Sequence, residues 1–153
     1  MEIADARPQD APAILEVQQL AFAPAALRYG DDRLPPLVET ADEIASDIRT
    51  QVVLIAVQDA RLVGSVRGTE RDGCVYVGRL VVHPSFQRQG IARALMLEIE
   101  ARFGGHRCFE LFTGNLNEPG IGLYRQLGYV ETERRPVSSA LELVYMRKTR
   151  VAE

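Results

Sequence analysis

The longest regular pattern in the chain is a stripe of Ile91, Leu95, Ile99 and Phe103 at i, i+4 spacing. It predicts an amphipathic helix that opens after Gly90 and ends at the Gly104–Gly105 pair. Ahead of it lie three apolar runs separated only by polar turns: residues 51–57 (QVVLIAV), 61–68 (RLVGSVRG) and 74–82 (CVYVGRLVV). Each has the length of a strand. The links Gln58–Ala60 and Glu70–Gly73, the second ending in Asp-Gly, are short enough only for antiparallel hairpins. Nearer the start, residues 2–7 predict a first strand. Asp10 is placed to N-cap a helix in which Ile14, Val17 and Ala21 recur at helical spacing. Residues 24–36 hold three prolines, a glycine and Asp31–Asp32, and so predict a loop. Thr40 and Glu43 have capping-box spacing in front of Ile44 and Ile48 on a second helix.

Beyond the long stripe, a fifth strand is expected at 107–113 (RCFELFT). A polar loop and a short helix at 118–127 follow, the helix carrying Leu123, Tyr124 and Leu127 and closed by Gly128. Strands at 129–134 and 140–147 complete the pattern. The strand–helix–strand passage from 74 to 113 requires a parallel pair joined by a right-handed crossover. The order βααβββαβαββ therefore predicts an α/β fold: a mixed, mostly antiparallel sheet of about seven strands, with helices on both faces, in one domain over residues 1–153.

Composition narrows the function classes. Of the 153 residues 46% are apolar and 25% charged, ordinary for a soluble globular protein. A net charge of −3 gives no general attraction to nucleic acid or anionic membrane, so neither is expected as a partner. No apolar run approaches the ~20 residues that span a bilayer, and no signal peptide is apparent, so a cytoplasmic location is expected. Cys74 and Cys108 lie inside apolar runs without metal-ligand spacing. They are expected as free, buried thiols in a reducing compartment, with no metal site.

Candidate chemistry centres on Gln87-Arg88-Gln89-Gly90-Ile91-Ala92, a glycine-bearing turn that opens a helix. The first N–H groups of a helix lack internal partners and point at whatever lies in front of them. No Asp or Glu falls between Val81 and Leu97, whereas Arg88 and Arg93 do. A diphosphate-bearing ligand is the expectation.

In this setting the six-residue turn resembles the pyrophosphate loop of the GCN5-related N-acetyltransferase (GNAT) superfamily. Asn117, Gly120, Tyr124 and Gly128-Tyr129 resemble its Asn-x-x-Ala-x-x-x-Tyr…Gly-Phe/Tyr segment, with Gly120 in place of the usual alanine. Ala6-Arg7-Pro8-Gln9-Asp10 resembles its entry into the first helix, and the similarity covers essentially the whole chain. The resemblance implies acetyl-coenzyme A as cosubstrate. Its pyrophosphate would lie on the turn formed by Gln87, Arg88, Gln89, Gly90, Ile91, Ala92 and Arg93, with main-chain contact from about Gln89 to Arg93. Its pantetheine arm would pair with the backbone of Leu80, Val81 and Val82, with Asn117 close by. Tyr124 is implied as hydrogen-bond donor to the departing sulfur.

The implied reaction is direct attack by a primary amine, on a small molecule or a peptide, in a ternary complex. Its base is sought among Tyr76 and Glu110, with Glu70, Asp31 and Asp32 as further carboxylates. Tyr29, Tyr76 and Tyr145 are placed either in an acceptor pocket or in the core, and His83, before Pro84, is expected to be structural. A non-catalytic acyl-coenzyme A sensor is the alternative function. A homodimer that completes the pocket is a further expectation.

Overall fold

Three hairpin-linked strands, β2 (Val52–Gln58), β3 (Arg61–Arg71) and β4 (Cys74–Val82), pair antiparallel at the centre of the molecule. This is the arrangement their short polar links require. The structure, a computed structural model, describes residues 1–151. Before these strands come β1 (Glu2–Asp5), α1 (Ala11–Tyr29), α2 (Pro35–Val38) and α3 (Ala41–Thr50). After them come α4 (Ile91–Arg102), β5 (Cys108–Gly114), α5 (Glu118–Gln126), β6 (Val130–Pro136) and β7 (Glu142–Thr149). One sheet takes all seven strands in the order β1-β2-β3-β4-β5-β7-β6, and β4–β5 is its parallel pair. The expected mixed α/β fold is present.

Strand alternation divides the sheet into two faces. On one, Leu54, Val66, Val75, Val77, Phe109, Leu111, Val144 and Met146 pack against Ile91, Leu95, Met96 and Ile99 of α4 and Ile121 of α5. On the other, Val53 and Ile55 lie under Ile14 of α1 and Ile44 of α3. These two helices cover β2 to β4. The same face of β5 and β7 presents Glu110, Phe112, Tyr145 and Arg147 instead. The capping box at α3 forms as expected: Glu43 N–H donates to Thr40 Oγ1 at 3.2 Å, and Thr40 N–H to Glu43 Oε1 at 3.0 Å.

Three expectations need correction. The loop expected over 24–36 is confined to residues 30–34, because α1 continues through Pro24 to Tyr29 and closes on Gly30, and α2 begins at Pro35. An internal proline costs a helix ~3 kcal/mol. Here the final turn recovers contacts, since Tyr29 packs with Leu34, Leu141, Ala25 and Leu143 in a cluster of its own. Asp10 does not cap α1; its carboxylate turns back to accept from Arg7 N–H at 2.7 Å, across a single 3-10 turn at Pro8–Asp10. Cys74 and Cys108 are not free thiols but a disulfide, with Cα atoms 4.7 Å apart. They open β4 and β5 immediately before the register pair Val75↔Phe109, so the parallel crossover brings together cysteines 34 residues apart. The expectation of a reducing compartment thereby loses its basis. No helix among the described residues is long and apolar enough to cross a membrane.

Candidate active site

The parallel strands β4 and β5 stay paired for only two positions, Val75↔Phe109 and Tyr76↔Glu110, and then separate. The cause lies in β4. Arg79 has a left-handed φ of 53°, and the register with β3 shifts beside it, between Ser65 and Arg67. Such a bulge bends a strand. From Val77 to Val82, β4 therefore runs alongside β3 but apart from β5. Backbone groups on its β5 side are left without a ladder partner, and a wedge opens through the sheet.

The turn after β4 enters α4. Gly90 has a φ of 82°, which L side chains avoid, and a Cβ built there meets nothing within 4 Å. Arg88 is also left-handed, at 62°. Left-handed residues on either side of Gln89 give the concave, N–H-lined turn that binds anions. The first bond inside the helix runs from Ala94 N–H to Gly90 O at 3.0 Å. The N–H groups of Ile91, Ala92 and Arg93 lie ahead of it.

Arg88 and Arg93 are exposed. Gln87 and Gln89 are spent on the turn itself: Gln87 Nε2 donates to Val82 O at 3.5 Å, and Gln89 Oε1 accepts from Gln58 at 3.2 Å. His83 is structural as expected, its Nδ1 accepting from Ser85 N–H at 3.0 Å. An open cradle, free N–H groups and two guanidinium groups fit a diphosphate.

Across the wedge, Asn117 caps α5. Its Oδ1 accepts from Gly120 N–H at 3.2 Å and its Nδ2 donates to Thr113 Oγ1 at 2.9 Å. A Cβ at residue 120 would overlap that amide, which accounts for glycine where the resembled pattern has alanine. Tyr124 is buried, its ring edge-on to Tyr129 with centroids 6.0 Å apart. Its hydroxyl has no hydrogen-bond partner among the described residues. Burial, with the neighbouring Tyr76 adding to it, pushes this phenol up to about 12.

On the opposite face, the Tyr76 ring lies over Gly78, where a Cβ would come within 3.1 Å of it. The missing side chain lets the phenol reach past the last β4–β5 pair to the apex of the wedge. Burial raises the Tyr76 phenol as well, although Arg79 and Arg71 pull the other way. At neutral pH it is a hydroxyl, not a base. An aromatic row extends from it, Tyr76 to Phe112 at 5.9 Å and Phe112 to Tyr145 at 5.4 Å. Glu110 stands in this row and is held by Arg147 from β7. The other candidate carboxylates are elsewhere. Glu70 binds His106 at 3.0 Å and alternates onto the α4 face, and Asp31 accepts from Arg33 N–H in the turn after α1. Tyr29 packs against the C-terminal end of β5 at Gly114, its hydroxyl accepting from Leu116 N–H at 2.9 Å. Tyr145 and Tyr76 line one surface pocket with Glu110 and Phe112, which Tyr29 does not reach.

One feature was not anticipated from the sequence. Arg67, 4% exposed, reaches from β3 to Glu39 at 2.8 Å, Asp47 at 2.9 Å and the Gln18 side chain at 3.0 Å. Arg79 lies 3.5 Å from Glu39. The cluster binds α1, the α2–α3 link and α3 to the strands beside the wedge. Its only trace in sequence is a charged residue at the centre of an apolar strand.

Comparison with known proteins agrees with this architecture. The ribosomal-protein-S18-alanine N-acetyltransferase of Escherichia coli superposes with a TM-score of 0.80 at 20% identity, over 99% of this chain and 96% of that one. The PaiA N-acetyltransferase of Thermoplasma acidophilum, in complex with coenzyme A, superposes at 0.78 with 18% identity, covering 97% and 98%. YncA of Salmonella typhimurium, with its cofactor acetyl-CoA, gives 0.78 at 23% identity, covering 100% and 95%.

Among curated proteins, UPF0157 protein YqkA of Bacillus subtilis is 30% identical over 131 residues, 85% of this chain and 37% of that protein. Acetyltransferase ECA0875 of Pectobacterium atrosepticum is 35% identical over 81 residues, 50% of this chain and 55% of that one. The chain thus spans little more than a third of the first relative and about half of the second. The model of the acetyltransferase (GNAT) family matches residues 12–129. Since that match takes in α1 through the start of the final hairpin, most of the sequence, the chain belongs to the GNAT acetyltransferase family.

Proposed function

We propose that the protein transfers an acetyl group from acetyl-coenzyme A to a primary amine by direct attack while both are bound. The observation that carries this reading is the wedge between β4 and β5, with the α4 N-terminus at its open end and Tyr124 and Tyr76 on its two sides. The cofactor supplies an activated acetyl thioester. Main-chain N–H groups from Gln89 to Arg93 bind the diphosphate. The helix terminus contributes up to ~2 kcal/mol beyond the hydrogen bonds themselves. The unpaired edge of Leu80, Val81 and Val82 takes the pantetheine arm as an added strand. A β4 N–H at the apex polarises the thioester carbonyl, as an oxyanion hole does.

An alkylamine with a pKa near ~10.4 needs about 4–5 kcal/mol to become neutral at pH 7, so its proton requires a path away. Tyr76 anchors a water at the apex, and Glu110 is the nearest carboxylate along the aromatic row to receive the proton. Tyr124 donates a hydrogen bond to the departing sulfur. Both cysteines are tied in the disulfide, so neither carries the acetyl group. Calorimetric titration with coenzyme A, followed by thiol release from acetyl-coenzyme A across a panel of amines, tests the reading. Saturable binding and amine-dependent release are expected. Binding without release across the panel identifies a non-catalytic sensor, and absence of binding overturns both.

A further inference from the structure

The acceptor side of the wedge holds a pocket of about 220 Å³ lined by Arg71, Cys74, Tyr76, Glu110, Phe112 and Tyr145. At a share of ~30 Å³ per water, it has room for an acceptor of amino-acid or dipeptide size. Arg71 is the arginine in its lining; of those nearby, Arg147 pairs with Glu110 and Arg135 with Glu133 at 3.0 Å, while Arg79 is turned toward Glu39, 3.5 Å away in the Arg67 cluster. Arg71 has no carboxylate within 4 Å among the described residues. Its guanidinium lies 4.4 Å from the centroid of the Tyr76 ring, stacked on the residue that reaches the apex.

The position of Arg71 is fixed. It pairs with Cys74 across a tight hairpin whose two turn residues, Asp72 and Gly73, are both left-handed, at 51° and 81°. That pairing is the geometry of a type I′ turn. Cys74 is in turn bonded to Cys108. Hairpin and disulfide leave the Arg71 backbone little freedom, and stacking on Tyr76 directs its guanidinium to the pocket.

From this arrangement we infer that the acceptor is a small amine bearing a carboxylate, with Arg71 as the residue that selects it. The assignment rests on the acetyl-transfer reading above. A guanidinium matches a carboxylate with paired donors, and a ring beneath it lowers its exposure to water. Glu110, the pocket's one carboxylate, is charge-balanced by Arg147 through Oε1, so a second cationic group on the acceptor meets the unpaired charge of Arg71. Diamines and polyamines are therefore disfavoured. The wedge handles the amine, and the rim handles the anion.

The test compares γ-aminobutyrate with its amide and with putrescine, and glycylglycine with its amide, in wild type and in Arg71→Gln and Arg71→Lys. For wild type, kcat/KM is expected to be at least about tenfold higher for each carboxylate than for its amide, with putrescine lowest. Arg71→Gln abolishes that preference by raising KM for the carboxylates alone, and Arg71→Lys restores part of it. Equal use of acids and amides overturns the inference while leaving acetyl transfer intact, and so does an equal loss for all acceptors in Arg71→Gln. If no amine is turned over, thermal shift separates the readings. Stabilisation by glycylglycine in wild type but not in Arg71→Gln retains the anion site and rejects acetyl transfer to these amines. Its absence rejects the site.

Discussion

A phenol raised to about 12 would pass its proton to a thiolate near ~8.5 only at a cost of roughly 5 kcal/mol, so in the proposed reaction Tyr124 is assigned as a hydrogen-bond donor to sulfur rather than as an acid. Two consequences distinguish those roles. Tyr124→Phe is expected to lower kcat by more than about tenfold while leaving the KM for acetyl-coenzyme A nearly unchanged, since a donor to a developing thiolate acts mainly in the transition state. The kcat–pH profiles of wild type and variant should also share their basic limb up to pH ~10; a limb lost with the hydroxyl would restore the acid role.

Gly90 gives a second residue-scale prediction. Its φ of 82° and empty surroundings mean that Gly90→Ala costs ~1–2 kcal/mol of backbone strain and no clash within the protein. In the proposed binding mode its Cβ stands in the path of the diphosphate, so coenzyme A affinity should fall by about tenfold or more in calorimetry while the far-ultraviolet spectrum is retained. Both residues were legible in sequence because their surroundings are local, a turn and a helix spacing. The placement of Tyr76 at the apex was not, because it depends on where β5 leaves β4.

At the scale of elements, local signals and long-range packing divided the work. The three central strands followed from apolar runs between polar links, and α3 from its capping box. The second half of α1 was hidden because Pro24 is a breaker on local grounds, and the contacts that outweigh it come from Leu34 beyond the following turn and from Leu141, far along the chain. The joint between the helical layer and the wedge was equally hidden, being assembled from Gln18, Glu39, Asp47, Arg67 and Arg79.

That joint carries a pH dependence of definite sign. Burial opposes ionisation of Glu39, but hydrogen bonds from Arg67 and Gln18 and the charges of Arg67 and Arg79 outweigh it, taking the carboxyl from 4.5 to about 2. Because the folded-state value is the lower one, the stabilisation is complete above pH 4.5 and is lost as pH falls toward 2. Urea midpoints measured from pH 5 down to 2.5 should therefore converge for wild type and Glu39→Gln, the wild type losing more. Arg67→Met leaves Glu39 and Asp47 facing a buried gap and should cost on the order of 3 kcal/mol at neutral pH. A neutral result there would show that the cluster does not hold the helical layer in place.

For the molecule as a whole, the Cys74–Cys108 bond closes the one parallel crossover, passing through β4, α4 and β5. Spacing in sequence could not reveal it, since the two cysteines meet only through the register of strands that are not hairpin-linked. A covalent tie over 34 residues removes loop entropy from the unfolded chain worth about 3–4 kcal/mol in the chain-entropy account. For a domain of this size that corresponds to roughly 10 °C in Tm. The wild-type protein should therefore show no titratable thiol until reduced and two after reduction in denaturant, with a Tm that falls on adding dithiothreitol. Cys74→Ser should start at the lower Tm and ignore the reductant.

The tie also sits beside the last paired positions, Val75↔Phe109 and Tyr76↔Glu110, at the point where the wedge begins. If that geometry matters for cofactor binding, reduction should weaken coenzyme A in calorimetry at a temperature where both forms are folded. An unchanged affinity would confine the bond to stability, with the β4 bulge at Arg79 alone opening the wedge.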